Sequence, residues 1–410
     1  MKFSIITFGC KVNQYESNMM KEQMLHHNFL FEEDLTKTDI VIINTCTVTN
    51  TADKKSLRMV RSIRSNYPNV VLVVTGCSTE NNQGIYNEME IDILLGNKDK
   101  SKIGSLVENY LKNKERYVYF LNNRNTVFED MFIENYNHVR AFIKIEDGCD
   151  NFCSYCIIPF VRGAVRSKDF DVVIKEAKCL VKNGHKEIVL TGIHTGHYEN
   201  SNKHLSDLIN ELSLIDGLER IRLSSIEITE LDESFMETLR TCNKLCNHLH
   251  IPLQAGSDEI LKKMNRKYDL EYFLNKINLI RSIRPGISIT TDIIVGHPYE
   301  TDELFNETLE FVKKIKFSKI HVFPYSKRDG TASAKMDNQV KEEVKKERVK
   351  ALLELSNELE SEYYLSCKGV EEDILIEGRD ESKSYGHTSN YLFVNIEEKL
   401  EIGKVYRRKI

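Results

Sequence analysis

Ten cysteines punctuate this 410-residue chain, and six of them fall into two sets of three. Cys149, Cys153 and Cys156 form a compact C-x3-C-x2-C run. Cys10, Cys46 and Cys77 are far apart, yet each closes a similar apolar stretch, in the contexts FGC, NTC and TGC. A structural zinc or structural iron–sulfur site normally takes four protein ligands. Three thiolates around a cubane leave one iron open for a substrate or cofactor, so both sets point to chemistry rather than scaffolding. Zinc suits the compact run poorly, because no fourth Cys or His stands at zinc spacing and His138 and His185 are distant. For the dispersed set the alternative is three buried cysteines at strand ends, since cysteine is often buried. Three such coincidences on three successive strands argue against it. The other cysteines read as structural: Cys179 at core spacing on a helix with Ile174 and Leu180, and Cys242 with Cys246 filling a helix face. Cys367 only marks the start of a small β region.

The sulfurs need elements to carry them. Over residues 1–125, strand-like runs at 3–8, 40–44 and 70–75 alternate with helical patterns at 15–27 and 53–64 and helical turns from Glu80. Such alternation predicts a parallel, doubly wound α/β sheet. Open α/β sheets bind ligands at the carboxyl ends of their strands, where Cys10, Cys46 and Cys77 would converge. The helix after Cys46 carries Lys54, Lys55, Arg58, Arg61 and Arg64 on one stripe. A solvated face is the plain reading of such a stripe; its place beside a candidate cluster makes a polyanion-binding face worth testing. Residues 117–137 read as a linker with an edge strand. From 138 to 365, strands at 139–145, 187–190, 220–223, 249–253, 287–295 and 319–323 alternate with helices, and a charged helix at 341–362 closes the region. Six βα units predict a partial (β/α)6 TIM-like barrel, whose function belongs at the strands' carboxyl face. Residues 367–410 alternate apolar and polar positions, a small antiparallel β region that must pack on the barrel to be stable.

Composition bounds the rest. The chain is 41% hydrophobic and 29% charged, ordinary for a soluble globular protein. Its longest apolar runs, such as 70–74, are strand-sized, and no signal-peptide pattern opens it. We therefore expect a cytoplasmic protein with no membrane partner, where unpaired thiols stay reduced and hold metal. A net charge of −5 gives no whole-chain argument for nucleic acid, so local charge must carry one; Arg407, Arg408 and Lys409 add a little at the end.

A C-x3-C-x2-C loop after a barrel's first strand resembles the radical S-adenosylmethionine superfamily. With both cysteine sets placed, the chain is similar to methylthiotransferases over nearly its whole length. The matching stretches are FGCKVNQYES, NTCTVTNTADKKS, TGC, DGCDNFCSYCIIPFVRG, TGIHTGHY, LSSIE, HIPLQAGSD with MNRKY, TDIIVGHP and HVFPYSKRDGT. The opening CKVNQYE, TGIH and HVFPYS look most like the branch acting on N6-threonylcarbamoyladenosine at adenosine-37 of tRNA. Three departures stand out: His297 and Tyr299 where that family usually has Phe and Gly, Ala255 where Ser is usual, and a β region that stops soon after Tyr406.

The resemblance implies an N-terminal cluster domain (1–125), a radical barrel (138–365) and a TRAM-like β domain (367–410) that binds RNA. It implies two [4Fe-4S] clusters and S-adenosylmethionine. Cys149, Cys153 and Cys156 would hold the cluster that splits the sulfonium into methionine and a 5′-deoxyadenosyl radical. Cys10, Cys46 and Cys77 would hold the auxiliary cluster, whose open iron presents the sulfur. Two molecules of S-adenosylmethionine would be used, one for the methyl group and one to remove hydrogen from C2 of the adenine. That C–H bond is too strong and too unacidic for side-chain acid–base catalysis, so no catalytic base is assigned. Tyr155 would lie against the cofactor's adenine, and Ser225, Glu227, Gln254, Arg266 and Asp292 are cofactor contacts by position. The partners implied are a tRNA anticodon stem-loop, gripped by the five basic residues of the stripe, an electron donor such as flavodoxin or ferredoxin, and a sulfur donor the sequence does not name. Competing readings are the same chemistry on isopentenyl-adenosine-37 or on a ribosomal-protein aspartate, and a noncatalytic iron–sulfur RNA-binding or sensor protein.

Overall fold

The computed structural model describes residues 1–120 and 127–410, and the chain divides into two compact units. One comprises Met1–Asn135, Glu146–Asp150 and Cys156–Lys168; the other comprises Tyr136–Ile145, Asn151–Tyr155 and Asp169–Ile410. The division passes through the compact cysteine run, leaving Cys149 and Cys156 with the first unit and Cys153 with the second.

The first unit is a six-stranded parallel sheet in the order Leu30–Phe31, Lys2–Thr7, Ile40–Thr45, Val71–Gly76, Ile93–Leu95, Tyr117–Tyr119. Ile40–Thr45 and Val71–Gly76 are buried at every position, as a parallel sheet covered by helices requires. Their Val and Ile side chains pack with Val60 and Ile63 of the helix Asn50–Asn66. Thr49 caps that helix, its side chain accepting from the Ala52 N–H at 3.2 Å. The sequence-based strands and helices recur here within a few residues, with one shift: the turns expected from Glu80 begin at Cys77, the first residue of the helix Cys77–Asn81. Leu30–Phe31 and Ile93–Leu95 escaped notice because two or three residues show no period. Tyr117–Tyr119 supplies the edge strand of the expected linker, of which residues 121–126 lie outside the described residues.

The second unit holds two parallel half-sheets, Arg140–Lys144, Glu187–Thr191, Arg220–Leu223 and His248–His250, Ser288–Val295, Lys319–Pro324. They are joined across Arg220–Leu223 and His248–His250 by irregular bonding: the Cys246 N–H reaches the Ile221 carbonyl at 2.8 Å, and the Ile226 N–H the His250 carbonyl at 3.0 Å. The result is the six-stranded partial barrel expected. Glu342–Cys367 lies along its last strand, with Ser356 Oγ accepting from the Ile320 N–H at 3.1 Å. Cys242 and Cys246 are both buried, but the helix Glu233–Thr241 ends before them. They therefore fill the turn into the next strand rather than a helix face.

The small β region is a four-stranded antiparallel sheet, Phe393–Ile396, Ser384–Thr388, Glu371–Arg379, Val405–Lys409. It falls in the same unit as the barrel. Two arginines from one barrel strand hold it there. Arg220 Nη1 donates to the Asp373 and His387 carbonyls at 3.1 and 3.0 Å, and Arg222 donates to those of Ser389 and Thr388 at 3.1 and 3.2 Å. Glu187, fully buried on the neighbouring strand, pairs with both arginines at 2.5 and 2.7 Å. Burial alone would raise its carboxyl; Arg222 and Arg220 overrule that and hold it at about 2.

Candidate cluster and cofactor sites

In the first unit the sheet delivers its three cysteines as the strand topology demands. Cys10 follows Lys2–Thr7, Cys46 follows Ile40–Thr45, and Cys77 follows Val71–Gly76, the first two of these strands adjacent and the last two adjacent. Cys46 and Cys77 are buried and Cys10 is exposed. Burial pushes the Cys46 thiol up to about 11, and Cys77 and Cys10 stand close enough to push it further in the same direction. Gly9, at φ 110°, shows how tightly the site is drawn: a Cβ there would meet Cys46 Cβ at 3.0 Å and Sγ at 3.1 Å. Gly76 repeats the device at φ 113°, where a Cβ would strike the Thr45 carbonyl at 2.4 Å.

Polar groups converge on these sulfurs. The Val48 N–H donates to Cys46. Asn97 Nδ2 reaches Cys77 Sγ at 3.5 Å, and Arg162 Nε reaches it at 3.2 Å. Arg162 is fully buried, and its remaining donors go to Glu16 at 2.9 Å, Asp147 at 3.0 Å and Asn13 at 2.9 Å. Lys100, also fully buried, pairs with Glu16, and Arg166 with Asp147 at 2.8 Å. Sequence reasoning assigned none of these residues. Its only signal was that Asn13 and Glu16 lie in VNQYE and Arg162 in PFVRG, motifs otherwise read for their cysteines.

In the second unit Cys153 Sγ accepts from Arg266 Nη1 at 3.3 Å. Arg266 also pairs with Glu227 and donates to Tyr268 Oη at 3.2 Å, while Tyr268 Oη bonds the Leu253 carbonyl at 2.8 Å. Desolvation works against the Arg266 charge, but Tyr268 and Glu227 hold the guanidinium well above its usual range. Two residues expected as independent cofactor contacts thus form one ion pair, with Arg266 reaching the Cys153 sulfur. Tyr155 packs against Ala255, Ile260, Leu261 and Met264. Ser225 accepts from Thr195 Oγ1 through its carbonyl. Gln254 is held by its backbone, its N–H on the Asp292 carbonyl and its carbonyl on the Ile294 N–H, both at 2.9 Å. It adopts a left-handed φ of 68°, a conformation non-glycine residues hold only when surroundings impose it. Asp292 meets His250 at 3.3 Å, with His321 beside them.

The departures from the family pattern are now located. His297 is fully buried; its Nδ1 is 3.0 Å from the Pro298 carbonyl and its Nε2 3.2 Å from Ser154 Oγ, on the loop between Cys153 and Cys156. Burial lowers its pKa to about 4. Tyr299 takes φ 70° without a glycine's freedom, its ring under Lys263 Nζ at 4.2 Å. Because His297 ionises more readily in the unfolded chain, its neutral form stabilises the fold fully above about pH 6.5 and loses that contribution as pH falls toward 4. Urea unfolding of the wild type should show this slope, up to about 3 kcal/mol in all, and His297→Phe should remove it.

One earlier expectation is corrected. Lys54, Lys55, Arg58 and Arg61 are exposed on the helix Asn50–Asn66, but Arg64 is not available to a polyanion. Its guanidinium is bound to the carbonyls of Glu90 and Pro68 at 2.8 and 2.9 Å and to Asp92 at 2.8 Å. The last turn of the helix lies over the amino ends of Val71–Gly76 and Ile93–Leu95, and the charge there ties down the segments that lead into those strands.

Residues 143–312 match the radical SAM superfamily, and residues 2–96 match a group described as uncharacterized protein family UPF0004. The chain is 41% identical to the threonylcarbamoyladenosine tRNA methylthiotransferase MtaB of Bacillus subtilis, over 98% of this chain and 92% of that protein. It is 35% identical to the MtaB of Aquifex aeolicus, over 99% of each. The chain belongs to the methylthiotransferase family. A tRNA-2-methylthio-N(6)-dimethylallyladenosine synthase of Clostridium botulinum is also related, at 34% identity over 100% of this chain and 94% of that protein. Among solved structures, the radical S-adenosylmethionine methyltransferase TsrM of Kitasatospora setae shares the fold, with a TM-score of 0.58 at 15% identity over 78% of this chain and 72% of that one. Family membership implies [4Fe-4S] clusters and S-adenosylmethionine. The donor set fits: thiols, approached by N–H groups of the kind that stabilise cluster sulfurs.

Proposed function

We propose that this protein is a tRNA methylthiotransferase that converts threonylcarbamoyladenosine at position 37 to its 2-methylthio derivative. The observation that carries this reading is the 41% identity to the Bacillus MtaB across 92% of that protein, with both cysteine sets in place. Relatives named for dimethylallyladenosine match at 34%, which makes that substrate the second reading. Analysis of tRNA nucleosides from a strain lacking the gene separates them. Loss of the methylthio derivative of threonylcarbamoyladenosine supports the proposal, and loss of the dimethylallyl one overturns it.

We assign Cys149, Cys153 and Cys156 to the cluster that engages S-adenosylmethionine, and Cys10, Cys46 and Cys77 to the auxiliary cluster. When bound, these groups supply the radical, the methyl group and the transferred sulfur. The protein's own residues do the holding. Arg266 fixes Cys153 and is itself fixed by Glu227. Ser154 is anchored on three sides, by the Met264 carbonyl at 3.0 Å, the Ser333 N–H at 2.8 Å and His297. Tyr155, Ser225, Gln254 and Asp292 stay as the cofactor's neighbours by position. A flavodoxin or ferredoxin type of protein suits the single-electron supply; the sulfur donor is unassigned. No helix among the described residues is long and apolar enough to cross a membrane.

Lys54, Lys55, Arg58 and Arg61 are the phosphate contacts in this reading. Replacing all four with glutamine should weaken tRNA binding and lower the slope of log affinity against log salt by roughly 3. Filter binding across a salt series measures both, and an unchanged slope would remove the stripe from the interface.

A further inference from the structure

The first unit places a buried guanidinium on an auxiliary-cluster ligand, and nothing in the family reading uses it. Arg162 Nε lies 3.2 Å from Cys77 Sγ, and Cys10 also contributes to holding its charge. The same side chain is clamped by Glu16, Asp147 and Asn13, so it cannot swing away without leaving buried carboxylates short of a partner. It is held from its own segment too. Ile157 and Val161 pack on Cys77, and Asn97 Nδ2 donates to the Val161 carbonyl at 2.8 Å. A purely structural arginine would be satisfied by its carboxylates; this one spends a donor on sulfur.

We propose that Arg162 is a positioning residue for the Cys10–Cys46–Cys77 cluster and that, with Glu16 as its counter-charge, it sets that cluster's reduction potential. This rests on the assignment of a cluster to those three cysteines. A fixed positive charge beside a ligand sulfur stabilises the more negative, reduced cluster and raises the potential; removing it has the reverse effect. Glu16 pairs with the guanidinium and acts on Cys77 with the opposite sign, so its neutralisation acts in the opposite direction.

The test is redox titration followed by electron paramagnetic resonance, in a Cys153→Ala background that isolates the auxiliary cluster. Arg162→Gln should move the midpoint to a more negative value, Glu16→Gln to a more positive one, and Arg162→Lys should stay nearer the parent than Arg162→Gln. A merely structural role changes iron retention without opposed shifts. Should Arg162→Gln fail to hold a cluster, Glu16→Gln and Arg162→Lys still decide the matter. Midpoints that stay at the parent value in a protein containing about four irons would overturn the proposal while leaving the cluster assignment intact. No iron in the parent background would overturn the cluster assignment itself.

Discussion

Cys153→Ala, supplied with S-adenosylmethionine and dithionite under anaerobic conditions, is expected to form no 5′-deoxyadenosine, whereas Cys10→Ala still forms it. Neither variant should methylthiolate tRNA. The difference follows from where the two sulfurs stand. Cys153 belongs to the compact run and itself lies in the barrel unit, where Arg266 donates to its sulfur. Cys10 follows the strand Lys2–Thr7 at the sheet's carboxyl end and is exposed. Chromatography of the nucleoside products gives both readouts in one experiment. Loss of 5′-deoxyadenosine in both variants would mean the two sets act as one site. Persistence in both would remove the compact run from radical generation, and absence in the wild type would favour the noncatalytic sensor reading.

The largest stability effect should come from Glu187→Ala, a residue remote from either cysteine set in sequence. Removing that carboxylate strips Arg220 and Arg222 of their shared counter-ion inside the barrel. Breaking one side of a buried ion pair costs about 3–5 kcal/mol, on the order of 10 °C in melting temperature. The same residue carries a pH signature. Its folded pKa of about 2 lies below the unfolded value, so its contribution is complete above about pH 4.5 and disappears as pH falls through 2. Calorimetry should find the loss in Glu187→Ala and a weaker acid-side slope than in the wild type. Because both arginines also bind carbonyls of the C-terminal sheet, proteolysis should release that sheet first in the variant.

Much of this was legible in the linear chain for identifiable reasons. Val71–Gly76 and Ile40–Thr45 announce themselves as buried parallel strands by opening runs of Val, Ile and Leu, and each ends on the residue immediately before its cysteine. Strand order alone put Cys10, Cys46 and Cys77 at the carboxyl ends of three neighbouring strands, where the fold has them. What stayed hidden depends on tertiary pairing. Arg162 and Asn13 stand 149 residues apart, and no periodicity links them. The stripe on Asn50–Asn66 looked uniform because helical spacing does not say which turn meets the amino ends of the strands, and Arg64 lies on the turn that does. His297 read as a departure; only the fold shows it buried and within hydrogen-bond reach of Ser154. The left-handed Gln254 was equally silent, since nothing in LQAGS demands a positive φ.

Iron and acid-labile sulfide counting after anaerobic reconstitution probes the two incomplete cysteine cages most directly. The wild type should hold about eight irons, and Cys10→Ala and Cys153→Ala about four each. Four irons in the wild type, zinc in either position, or a variant that keeps all eight would contradict the account.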